Sequence, residues 1–357
     1  MSIKRYTAIK DTTITNAFKS NLITRGTGSN MGASDVAEVF SIYGQFATGS
    51  DARQVTELSR ALYEFPITSS AGNILSDRNS GAIPASGSVD FFLKLYNAKH
   101  AFTLPKDFTL VVSAVSKSWS EGTGLDMEEY SDLGTANWIS PRQGATWSKY
   151  GGDFHASPTY EMTFEEGTEN LEIKITSLVE QWIRGEGGGP PEDPGKNNYG
   201  LAIYLTSSQE GFFSSSTGQD DVNTFELHNP NGAKESYYTK KFFSRGTEFF
   251  FKRPVIEARW DDSKKDNAGN FFLSSSLAPA EDNLNTLYLY NLVRGQLKNI
   301  PSVGANPILL SVYQTLGGDK ITLPVGGDVI GNDHINVTGG FVSTGIYSAS
   351  FAYTGSA

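Results

Sequence analysis

Period-two alternation of apolar and polar residues runs through most of this chain, and that pattern suits strands and not helices. Val89, Phe91, Leu93 and Leu95 form one apolar row, with Asp90 and Lys94 on the opposite face. The same spacing recurs at Tyr160, Met162 and Phe164, at Leu171, Ile173 and Ile175, and at Leu201, Ile203 and Leu205. It returns at Ile308, Leu310 and Val312, at Ile321, Leu323 and Val325, and at Tyr347, Ala349, Phe351 and Tyr353. The run Phe108 to Val115 is apolar on both faces and predicts a fully buried strand. The 37 glycines fit many short strands joined by tight turns, and 22 Phe with 16 Tyr supply the bulk for a packed core. A disordered chain is excluded.

One helix is expected. Ser177 and Glu180 have capping-box spacing, Leu178, Val179, Trp182 and Ile183 would form the apolar face, and Gly185 would end it. Two turns cannot stand alone, so this helix must dock on a sheet. The stretch from Gly185 to Gly195 is too rich in Gly and Pro for regular structure and reads as a surface loop within a domain. The polar stretch Asp261 to Asn270 places a boundary between residues 1–262 and a smaller unit, 263–357. The final strand, Gly345 to Thr354, is aromatic and nearly uncharged, with no Lys or Pro to discourage edge pairing. It is therefore expected to be covered by another chain or by a continuation of its own; a longer parent chain and an exposed tail both fit.

Net charge is −10, and the 29 Lys and Arg residues are scattered, which argues against nucleic acid as a partner. Absence of cysteine rules out disulfides and Cys-ligated zinc and is compatible with a reducing cytoplasm. Met1 is followed by a polar run, and no stretch of about 18 apolar residues exists, so no membrane association is expected.

Little in the sequence points to chemistry. His100, His155, His228 and His334 share no metal or catalytic spacing, and no nucleophile-elbow motif is present. The chain is read as a non-enzyme with no catalytic residues and no cofactor. Gly26 to Gly32 lacks the spacing of a phosphate loop. Asp126, Glu128, Glu129 and Asp132 form an acidic cluster whose oxygens suit calcium, against the plainer reading of a solvated loop. Trp147, Trp182 and Trp260 are expected to fill the core. Trp119 and Trp138 flank the acidic insertion and are the candidates for surface aromatic contacts.

Several short motifs occur in order: Asp11 to Ile14, Asn30 to Ser34, Ser59 to Phe65, Trp119 to Gly124, Gly144 to Trp147, Leu178 to Trp182, Asn198 to Leu201 and Arg253 to Glu257. Over residues 8–262 this series resembles a DNRLRE-type domain, a jelly-roll sandwich similar to carbohydrate-binding modules. The chain departs from the pattern by insertions at 123–144 and 209–240, and the first is expected to be a surface loop that can be shortened at little cost in stability. The segments Asn283 to Gly295 and Thr344 to Ser350 resemble structural proteins of tailed bacteriophages. Together the resemblances imply an all-β chain: a jelly-roll-like antiparallel β-sandwich with one short helix, then a smaller C-terminal β-domain. They imply a virion structural component (capsid decoration, neck, collar or tail), assembled in the host cytoplasm through self-association and contacts with other virion proteins. The alternative they leave open is a carbohydrate-binding module that attaches to host-surface glycans.

Overall fold

The computed structural model describes residues 2–44, 55–68, 72–99, 104–127, 134–262, 264, 266–275, 277–279, 283–323 and 336–353. The fold is all-β and jelly-roll-like, and it divides into two compact units, 1–261 and 262–357. Among the described residues no helix is long and apolar enough to cross a membrane.

The N-terminal unit is a sandwich of two antiparallel sheets. The smaller holds β1 (Ser2–Thr7), β11 (Val255–Trp260), β5 (Asp90–Leu95) and β8 (Leu171–Lys174), in that order. The larger runs β10 (Tyr237–Phe243), β3 (Val36–Gly44), β4 (Val55–Glu64), β9 (Leu201–Leu205), β6 (Phe108–Val115) and β7 (Phe154–Phe164). In this sheet β2 (Lys10–Thr15) pairs with the second half of β4, beyond β3. The alternating rows do what their period requires. Val89, Phe91, Leu93 and Leu95 point inward from the small sheet, and Leu201, Ile203 and Leu205 from the large one. Between them Phe108 and Phe164 stack at 5.2 Å.

Helix α1 (Ile74–Asn79) is short and capped by Asn73, whose side chain accepts the Ser76 N–H. The expected helix is α2 (Thr176–Gly187), docked through Leu178, Val179, Trp182 and Ile183, with Trp182 fully buried. Its ends differ from expectation. The capping box does not form, because Glu180 is taken by Arg78 at 2.7 Å and the Ser177 hydroxyl by Tyr160 at 2.6 Å. At the far end Gly185 stays helical and the left-handed cap is Gly188, at φ 74°. Gly185 is needed for a different reason: a Cβ there would lie 2.1 Å from the Lys196 carbonyl oxygen, where the following loop folds back.

The outer face of the large sheet is also covered, and the insertions cover it. Ile14, Leu58, Leu62, Val115 and Ala202 form a second core with Trp119, Trp138 and Trp147. Phe225 and Leu227 from the second insertion pack against it. Through Ala136 and Trp138 the described residues 134–144 of the first insertion carry part of this core, which runs against the expectation that the insertion could be shortened at little cost in stability. Asn30 ties it down: its side-chain amide donates to the carbonyls of Glu121 and Ala136, and its Oδ1 accepts the N–H groups of Gly32 and Gly124. The Asn30 motif therefore anchors an insertion.

In the C-terminal unit β12 (Asn285–Tyr290), β18 (Ile346–Phe351) and β17 (Gly340–Ser343) form a three-stranded sheet with β18 in the middle. The expectation that the final strand is an edge needing outside cover is overturned, because both its edges are paired within its own unit. The hairpin β13 (Leu292–Val293) and β14 (Gln296–Leu297) turns at Arg294 and Gly295, both with positive φ as a two-residue hairpin loop requires. The expected strand at 308–312 shrinks to β15 (Leu309–Leu310), paired with β16 (Val337–Thr338). Ile321 and Leu323 lie in no strand, while Val325 falls outside the described residues. Even so, Leu310, Val312, Ile321 and Leu323 all join the small core around Val337 and Phe351.

Candidate functional site

Between the turn at residues 148–154 and the second insertion, the N-terminal unit leaves a groove over the large sheet. Arg60 of β4 forms its floor. It lies on the same strand face as Leu58 and Leu62, so an arginine has been folded into an otherwise apolar surface. Its guanidinium donates to Glu210 at 3.1 Å and to the Gly151 carbonyl at 3.1 Å. The rings of Trp138, Phe154 and Tyr204 surround it, with centroids 5.0 to 5.6 Å away. An ion pair this buried survives because both charges are matched and the cation meets aromatic faces. Gly151 holds the wall in place. With φ at 75° and the Trp138 ring 2.7 Å from any Cβ, no larger residue fits.

One wall of the groove is the 148–154 turn. Asp153 accepts hydrogen bonds from the Ser148 and Lys149 N–H groups and pairs with Lys117 at 2.8 Å. Burial pushes its carboxyl up, but these hydrogen bonds outweigh burial and hold it below the usual aspartate range. The opposite wall carries Asp220 and His228. The His228 backbone N–H donates to Asp220 Oδ1 at 2.8 Å, and His228 Nδ1 accepts the Ser215 N–H at 3.3 Å. The cavity encloses about 650 Å³. A second cavity of about 690 Å³ shares the Ser148–Tyr150 and Asp220–His228 walls, so Tyr150 borders both. Both volumes lie in the range of small-molecule sites.

The residues singled out from sequence lie elsewhere. Trp119 and Trp138 are core residues and present no surface aromatic contact, with 3% and 0% of their area exposed. Each indole N–H finds a distant carbonyl, Tyr199 for Trp119 and Phe225 for Trp138, and that lets them be buried at no polar cost. Asp126 is exposed, whereas Glu128, Glu129 and Asp132 lie outside the described residues, as do His100 and His334. Among the described residues no three metal-ligating side chains come together.

A buried acid sits at the other side of the second core. The Asp11 carboxylate accepts the Arg245 backbone N–H, while Glu121 binds both the Asp11 N–H, at 2.9 Å, and the Arg245 guanidinium, at 2.7 Å. Desolvation pushes the Asp11 carboxyl up to about 7; the Arg245 N–H opposes this and Glu121 adds to it. The folded pKa is thus raised above the unfolded one. Protonated Asp11 contributes its full stability below about pH 4, and that contribution is lost as pH rises through about 7. The expected slope from this group is up to about 1.4 kcal/mol per pH unit across that window. Asp11→Asn keeps an acceptor for Arg245 and should flatten it. Urea unfolding between pH 4 and 9 checks this: the variant should match the parent in acid and exceed it above neutrality.

The C-terminal unit has a different kind of surface. Leu289, Tyr290, Leu292, Val293 and Leu297 are all exposed around the β13–β14 hairpin, Leu292 to 60%. Phe341, opposite Tyr347 in the pairing of β17 with β18, is exposed as well. Elsewhere in the unit an apolar cavity of about 660 Å³ is lined by Phe271, Leu287, Leu310, Val312 and the exposed Leu316.

No protein-family model matches the chain, and no curated protein matches it either.

Proposed function

We propose that this chain is a non-enzymatic structural protein that works by assembly, as a DNRLRE-like component of a tailed-phage particle. The supporting observation is the apolar surface of the C-terminal unit. The patch around the β13–β14 hairpin is left open to solvent, whereas the unit's own buried centre is small among the described residues. Leu292 stands directly opposite Leu297 across the hairpin, and paired exposed apolar side chains of this kind mark interaction sites on soluble proteins, where covering them is worth about 25 cal/mol per Å². The occupant this reading commits to is a second copy of the same chain, followed in the particle by neighbouring virion proteins. Negative-stain electron microscopy of the purified chain tests the proposal. Closed rings or regular arrays are expected, and uniformly dispersed single molecules at micromolar concentration would count against it.

A further inference from the structure

We infer that Lys240 and Asn97 react through their side chains to form an isopeptide cross-link between the two sheets of the N-terminal unit. This goes beyond the assembly reading, which rests on the other unit.

The observation behind it is a lysine in a place that disfavours one. Lys240 of β10 is 1% exposed, and its Nζ lies over the rings of Phe164 and Phe242, at 4.6 and 5.3 Å from their centroids. Three oxygens accept from it, and all are neutral: Asn97 Oδ1 at 2.8 Å, the Gly167 carbonyl at 2.7 Å and the Glu169 carbonyl at 2.8 Å. A purely structural role would be met by methionine, which fills such a site without desolvating a charge. Burial lowers the Lys240 amine to about 8, against the opposing charge of Glu169. A neutral amine is a nucleophile, and burial among apolar groups is one of the ways to obtain it.

Asn97, just past the end of β5, supplies the electrophile. Its amide carbon is bonded to the oxygen that Nζ already contacts. The two backbones are fixed, because the Ala98 N–H donates to the Lys241 carbonyl at 2.9 Å and the Phe243 N–H to the Tyr96 carbonyl at 3.0 Å. Such an arrangement replaces an encounter in solution. Glu169 is the nearby base: its carboxylate Oε2 is buried without a hydrogen-bond partner. Burial pushes Glu169 up, but backbone N–H groups and the Lys240 charge hold it below the usual glutamate range, so it is ionised and able to take a proton.

The step balances without an oxidant or a co-reactant. Glu169 takes one proton from the Lys240 ammonium. The freed lone pair forms the Nζ–Cγ bond, and the carbonyl pair moves onto Oδ1. When that pair returns, the Cγ–Nδ2 bond breaks, and Nδ2 leaves as ammonia with a second proton from Nζ. Ammonia then takes the proton held by Glu169 and departs as ammonium. The bond spans 143 positions in a chain that has no cysteine. It would restrict the unfolded chain as a disulfide does, in any redox environment.

Mass spectrometry of the intact full chain, after incubation in mildly alkaline buffer, tests the inference. The parent should be lighter than its sequence requires by about 17 Da, the mass of the ammonia lost. Fragmentation of a digest should give a branched peptide joining Lys240 to Asn97. Lys240→Met and Asn97→Ala should keep their full mass, and Glu169→Gln should stay largely unlinked. The inference is overturned if the parent keeps its full mass, or if Lys240→Met shows the same loss. It is equally overturned if the loss maps without a branched peptide, as succinimide formation at Asn231–Gly232 would. A Glu169→Gln chain linked as fully as the parent would overturn the proton-transfer role given to Glu169.

Discussion

Replacing Trp138 by alanine should lower the unfolding free energy by about 3–5 kcal/mol, the usual cost of truncating a fully buried aromatic. The residue lies inside an insertion, so a loop reading would expect almost no effect. The structure gives three reasons for a large one. The indole is completely buried between the sheet and the insertion, its N–H is bonded to the Phe225 carbonyl, and its ring faces the Arg60 guanidinium. Truncation leaves a cavity under Gly151, whose backbone cannot close it without breaking its bond to Arg60. Denaturant unfolding followed by circular dichroism measures this directly. A loss below about 1 kcal/mol, in the range of ordinary surface changes, would mean that the second core adds nothing to stability.

The Arg60–Glu210 pair should behave in a way that distinguishes a broken ion pair from a removed one. Glu210→Ala alone is expected to cost about 3–5 kcal/mol, because it leaves a buried guanidinium without its anion. Arg60→Met combined with Glu210→Leu should recover most of that loss, since an apolar pair of similar volume avoids desolvating two charges. If the double variant is as unstable as the single one, the pair contributes something other than matched charge. The Phe154 and Tyr204 rings around Arg60 would then be the place to look.

The parts of this fold that were legible in the sequence are those set by local periodicity. The rows Val89 to Leu95 and Leu201 to Leu205 read correctly because a strand's period puts its whole apolar set on one face. The misreadings share one physical cause, namely partners far away in the chain. Trp119 and Trp138 flank the acidic insertion and were expected at the surface, but the carbonyls that let them be buried come from Tyr199 and Phe225. Glu180 looked like half of a capping box until Arg78, from another helix, took it. The last strand's lack of charge could not say whether it was an edge or a centre, and β12 and β17 decided that. The groove left one readable trace. Arg60 sits between Leu58 and Leu62 on a face that is otherwise apolar, and a charge in that position demands a buried partner. Which partner, 150 positions away, only the fold reveals.

The central claim is that the exposed apolar surface of the C-terminal unit exists to be covered by further copies of the chain. Light scattering coupled to size-exclusion chromatography, run over a hundredfold dilution, tests it on the full chain and on a Leu292→Ser, Leu297→Ser variant. The account predicts a discrete oligomer for the parent chain and a shift to monomer for the variant, with the N-terminal fold unchanged by circular dichroism. A parent chain that is monomeric throughout the dilution series, or a variant that assembles as the parent does, would contradict it.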